Sequence, residues 1–195
     1  MSKSKWTEDK IKWLRSARRN ILPEYRRLMD SGCLRLECAG RDDVCIVFLG
    51  ENLAHLLGFA YVNEKRARIA RRFPDDLHSG AVAANRIEFA DKGKPGYTPQ
   101  KGHDDAAKKN AIAQSVFSGI DSLDINGYVV ESAKSAVVLF TGKVTWSLGL
   151  AKEKDANDVW TGRYVPASLV DDSILSSAIC KAGTKPSAII RVSWI

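Results

Sequence analysis

The chain has 195 residues, 45 % hydrophobic and 27 % charged, with a formal net charge of +7. That length suits one domain with a sizeable core, and the composition excludes wholesale disorder. No stretch approaches the ~20 apolar residues that span a bilayer, and the start of the chain holds no apolar signal core, so a cytoplasmic, membrane-free protein is the expectation.

The charge is uneven. Residues 1–30 hold nine Lys/Arg against four Asp/Glu, and residues 63–72 hold Lys65, Arg66, Arg68, Arg71 and Arg72 against Glu64, leaving the remainder slightly acidic. Two basic segments point to a phosphate-rich partner such as nucleic acid; solvated helix faces are the plainer alternative. Cys33, Cys38, Cys45 and Cys180 match no zinc spacing, and four reduced thiols packed as small hydrophobes are expected.

In chain order, Thr7–Asp30 reads as helix, with Thr7 as N-cap and Pro23 kinking it or opening a second helix. Leu34, Leu36 and Cys38 alternate with Arg35 and Glu37, and Val44–Leu49 is an unbroken apolar run. With Gly40-Arg41-Asp42-Asp43 between them, these predict an antiparallel hairpin. A short helix is expected over Glu51–Leu57, then a basic helix over about Asn63–Arg72 that Pro74 stops. Residues 91–103 predict a loop, followed by a helix from Asp104 to about Ser122.

The last third predicts strands at Tyr128–Ser132, Ala136–Phe140, Thr145–Leu150 and Val159–Val165, with turns at Asn126-Gly127 and Thr141-Gly142-Lys143. Pro166-Ala167-Ser168 is expected to open a short helix, and Ala188–Trp194 to form a strand. Helices and a hairpin followed by an antiparallel meander give an α+β class rather than a parallel nucleotide fold. Residues 1–30 form a basic helical segment, and 31–195 the α+β body with which it makes one unit.

P-loop, G-x-G-x-x-G, H-E-x-x-H and G-x-S-x-G signatures are absent, and three scattered histidines suggest no metal or cofactor. His55, among apolar neighbours after a strand, suits a general acid or base if burial moves its pKa near neutrality, or else a core histidine. Lys134, Lys143 and Lys152 punctuate the late strands, and Arg163 and Ser168 follow. Cations beside a hydroxyl can hold a phosphate, although Ser168 equally reads as a helix cap. Trp146, Trp160 and Tyr164 among these cations suit unstacked RNA bases or an ordinary sheet core.

The early hairpin running into Phe48-Leu49-Gly50-Glu51-Asn52-Leu53-Ala54-His55-Leu56-Leu57-Gly58 resembles the phage-associated fourth group of the barnase, EndoU, colicin and RelE-like (BECR) nucleases. So do Leu148-Gly149-Leu150-Ala151-Lys152 and Tyr164-Val165-Pro166-Ala167-Ser168-Leu169 downstream. The resemblance covers roughly residues 30–175. Ala167 stands where that pattern often has a basic residue. It implies a compact nuclease fold and metal-independent RNA cleavage of toxin or phage-defence type, with His55 as acid or base and Lys152 and Ser168 on the phosphate. Lys134 and Arg163 are added from chemistry alone. RNA is the expected partner, with an acidic antitoxin or immunity protein as a second. The competing expectations are a nucleic-acid-binding module without chemistry and a protein-interaction factor that inhibits a host enzyme.

Overall fold

The computed structural model describes residues 3–63, 65, 67–133 and 137–195, so Arg66 and Lys134 lie outside the described residues. The chain opens with α1 (Lys3–Ser16), one π-helical turn over Ala17–Ile21, and α2 (Leu22–Asp30). Thr7 lies inside α1 rather than capping it. Pro23 falls in the first turn of α2, where its missing N–H costs nothing, and the wider turn before it absorbs the break. Leu14, Ala17, Ile21, Leu22, Tyr25 and Leu28 carry these helices into the main core.

The alternating and apolar runs form the expected hairpin, β1 (Cys33–Cys38) against β2 (Val44–Val47), with Leu34 opposite Ile46. Leu34, Leu36, Val44 and Ile46 face the core, as the two-residue period requires. On the opposite face the structure joins Cys33 and Cys45 by a disulfide, their Cα atoms 5.9 Å apart. That corrects the expectation of four thiols: Cys38 and Cys180 are the free ones.

Next come α3 (Gly50–Leu56), β3 (Phe59–Tyr61), α4 (Phe73–Ser79) and β4 (Ile87–Phe89), with β3 and β4 paired as a separate two-stranded sheet. The helix expected over 63–72 does not form. Asn63 Oδ1 accepts from Ala67 N, Asn63 N donates to Ala67 O, and Val62 bridges Arg68, so the chain folds back on β3. A short polar side chain here outcompetes the helical ladder. Among the described residues of this stretch only Ala70–Arg72 makes a 3-10 turn, and Pro74 opens α4 instead of ending a helix. The long helix α5 (Pro99–Gly119) starts five residues earlier than expected, because Thr98 Oγ1 accepts from Lys101 N and Pro99 suits the first helical position.

β5 (Tyr128–Glu131), β6 (Leu139–Lys143), β7 (Trp146–Lys154) and β8 (Trp160–Val170) pair antiparallel in consecutive order, and β9 (Ser187–Trp194) lies between β5 and β1. Two expectations fail here. Thr141-Gly142-Lys143 is strand, not turn. Pro166-Ala167-Ser168 is also strand, because β8 follows β7 as far as Val170 and buries Leu169.

The sheet therefore does not end as an open meander. It closes in the order β1-β2-β8-β7-β6-β5-β9. Around a ring of seven strands the directions cannot alternate throughout, so one neighbouring pair must run parallel. That pair is β2 and β8, meeting at Ile46 and Tyr164. The class is α+β. Val129, Leu139, Leu148, Leu150 and Ile189 face the main core with the helices. Val130 and Phe140, on the other sheet face, pack with Ile174 and Ile179 in a smaller cluster.

Candidate functional site

α3 forms because Glu51 sits in its first turn, favoured by the helix dipole, and because Leu53, Leu56 and Leu57 share one buried face. Gly58, at φ +82°, ends it where the backbone of α5 comes close. Both ends are tied down. The Tyr25 hydroxyl donates to Leu49 O at 2.8 Å, and burial pushes that phenol's pKa up. From α5, Asn110 Nδ2 donates to Leu57 O at 2.8 Å and Lys109 Nζ to His55 O at 3.5 Å. Asn52 and His55, three residues apart, project from one flank of this anchored helix.

Beside that flank runs the segment from Arg68 to Arg72. A cavity of about 610 Å³ lies between them, lined by Asn52, Glu51, Arg68, Arg71 and Arg72. Arg71 Nε bonds Glu51 Oε2 at 2.6 Å, and Arg72 reaches Asp76 at 3.5 Å. Arg68 is exposed and forms no ion pair among the described residues. Asn52 Oδ1 is buried with no hydrogen-bond partner among the described residues, an acceptor left desolvated.

The pKa of His55 is pushed down to about 4, first by burial and then by the charge of Lys109; Lys94 and Arg68 act in the same direction and Asp91 opposes them. That corrects the expectation of a value near neutrality. Asp91 is itself held below the usual carboxylate range by a 2.6 Å bond from Lys94. At neutral pH the site therefore offers a neutral imidazole under the field of cations: a proton acceptor, not a proton donor, with the Arg68 guanidinium, unpaired among the described residues, able to receive an anion.

The other sequence candidates are on other elements. On β7 and β8, Lys152 pairs with Tyr164, and its Nζ sits 4.4 Å from the centre of the exposed Trp160 ring. Arg163 bonds Glu153 at 2.7 Å. Lys152 and Arg163 are not among the charges that act on His55. Ser168, opposite Gly149, lies four residues beyond Tyr164, ~13 Å along an extended strand. Being inside β8, it caps no helix. Trp146 is buried in the main core and offers no platform for bases. Lys65 is exposed in the fold-back turn.

The proposed catalytic set thus divides. Arg68 acts on His55 and lines the cavity with Asn52, Arg71 and Arg72, whereas Lys152, Arg163 and Tyr164 lie on β7 and β8. Asn52 carried a signal, its three-residue spacing from His55. Lys94 and Lys109 carried none, because distant segments bring them in. Among the described residues no group of three or more His, Cys, Asp and Glu is placed to hold a metal, and no helix is long and apolar enough to cross a membrane.

Comparison with protein-family models, with curated proteins and with solved structures gives no match.

Proposed function

We propose that the protein acts on RNA at the α3 flank, as a metal-independent endoribonuclease of the toxin or phage-defence type that the BECR-like motifs imply. The observation that carries this reading is a neutral imidazole at His55 under the field of Arg68, a guanidinium with no ion pair among the described residues. In the reaction His55 accepts the proton of a 2′-hydroxyl, and O2′ bonds to the adjacent phosphorus. The bond from phosphorus to the 5′ oxygen breaks, that oxygen takes a proton from water, and the proton held by His55 returns to the hydroxide so formed. The products are a 2′,3′-cyclic phosphate and a 5′-hydroxyl. Arg68 supports the added negative charge, and Arg71 does so once it exchanges Glu51 for phosphate. The phosphodiester charge offsets Lys109, Lys94 and Arg68, so a bound strand raises the His55 pKa towards the value a useful base needs.

One observation favours a second reading, nucleic-acid binding without chemistry: a pKa of about 4 leaves unliganded His55 a weak base. A single experiment separates the two. Mixed cellular RNA is incubated with the parent chain, His55→Ala and Arg68→Ala in excess EDTA. Cleavage by the parent with cyclic phosphate ends, lost in His55→Ala, supports the enzyme. Retention of RNA by all but Arg68→Ala, with no cleavage anywhere, supports binding alone. Failure of the parent both to cleave and to bind RNA refutes the proposal.

A further inference from the structure

The β2–β8 seam is where the ring closes through its single parallel register pair, Ile46 and Tyr164. A groove of about 550 Å³ opens there, lined among others by Arg41, Asp42, Trp160, Tyr164, Thr184 and Lys185. Its volume falls within the ~300–1,000 Å³ of small-ligand sites.

The aromatic wall is built rather than incidental. Trp160 is 44 % exposed, at the start of β8. Its indole Nε1 donates to Arg163 O at 2.9 Å, which fixes the ring. Lys152 lies over the ring, and Tyr164 meets it edge-on with centroids 5.8 Å apart. A register shift in β7 between Lys152 and Lys154 accompanies this arrangement, as bulges do where side chains are re-aimed. An immobilised, half-exposed indole is a large apolar face left in water, and a planar π-system covers it at little entropic cost.

The polar lining completes the pattern. Asp43 is already matched by Arg35 at 2.6 Å and Glu131 by Lys181 at 3.4 Å. Asp42 and Lys185 form no ion pair among the described residues. Arg41 Nε is buried without a hydrogen-bond partner. The groove therefore offers a stacking face, one carboxylate unpaired among the described residues to accept from a base amino group, and two cations for a phosphate.

The geometry points to a nucleotide-binding groove at the β2–β8 seam, taking a nucleoside monophosphate unit with its base on Trp160 and its phosphate at Arg41 and Lys185. The unit is either free or one residue of a single strand. As a strand, it rests on the RNA reading above and gives the His55 site an anchor outside the cleavage cavity.

The test is calorimetric titration of the full chain with the nucleoside 5′-monophosphates and with a short 2′-O-methyl oligoribonucleotide, which cannot undergo 2′-oxygen attack. The parent is expected to bind, and Trp160→Ala to bind roughly fivefold to a hundredfold more weakly, the range for losing one base–aromatic stack. Trp160→Phe should recover part of the loss. A loss seen with the oligonucleotide alone assigns the groove to a strand; a loss with the monophosphates as well assigns it to free nucleotides. Oligonucleotide binding that Trp160→Ala leaves unchanged but Arg68→Ala weakens overturns the groove and keeps the RNA reading. Monophosphate binding that depends on Trp160, with RNA neither bound nor cleaved by the parent, keeps the groove and overturns the RNA reading. Absence of any binding by the parent overturns both.

Discussion

Acidification should destabilise the protein through His55. In the folded chain this imidazole titrates at about 4 instead of its ordinary 6.5, chiefly because burial penalises the charged ring. Between those two pH values the unfolded chain binds a proton that the folded chain does not, so stability falls as pH drops from about 6.5 to about 4 and is unaffected by this group above that window. The full shift corresponds to about 3 kcal/mol; the ring keeps some contact with water, and screening reduces the expected loss to about 2 kcal/mol. The assay is urea denaturation of the parent and His55→Gln across the window. Asp104, with a lowered value, loses its contribution at lower pH equally in both proteins and cancels, whereas Asp91, which His55 helps to lower, belongs to the difference along with His55. The parent should lose about 2 kcal/mol more than the variant. Equal pH dependence in the two proteins, or an NMR titration of His55 at or above 6.5, would refute the buried-imidazole argument and with it the picture of a neutral base. Added inorganic phosphate should raise the observed pKa.

Two glycines separate conformational strain from crowding. Gly58 and Gly162 both have positive φ, +82° and +87°, but a Cβ on Gly58 would come within 2.7 Å of Ala106 Cα while one on Gly162 meets nothing within 4 Å. In thermal denaturation Gly162→Ala should cost about 1 kcal/mol and Gly58→Ala at least ~2 kcal/mol more, because α5 must move. Thr98→Ala removes the hydroxyl that accepts from Lys101 N and should cost about 1 kcal/mol in the same assay.

The hairpin β1–β2 was readable because strict alternation has only one pleated solution, and α3 because Leu53, Leu56 and Leu57 fit a helical stripe between a strand and a glycine. The errors share a cause. Residues 63–72 have the charge of a helix surface, yet Asn63 folds them back on β3. Pro166-Ala167-Ser168 looks like a helix start, but Gly149, Leu150 and the rest of β7 lie alongside to accept it as strand. In each case a local preference of a fraction of a kcal/mol per residue yielded to pairing with a segment distant in sequence.

The site divides in the same way. Sequence alone determined a basic chain with an α+β pattern of elements, a histidine in apolar company, and arginines concentrated at 63–72, because composition and short-range period are local properties. Only the tertiary structure decided which cations surround His55 and how far it is pushed from neutrality. It alone left Asn52 Oδ1 without a hydrogen-bond partner among the described residues, and it alone placed Lys152 and Arg163 outside the charges that act on His55. Ring closure likewise lay beyond any local signal. Its parallel seam joins residues more than a hundred positions apart, and the geometry of seven strands in a circle, rather than any run of amino acids, required it.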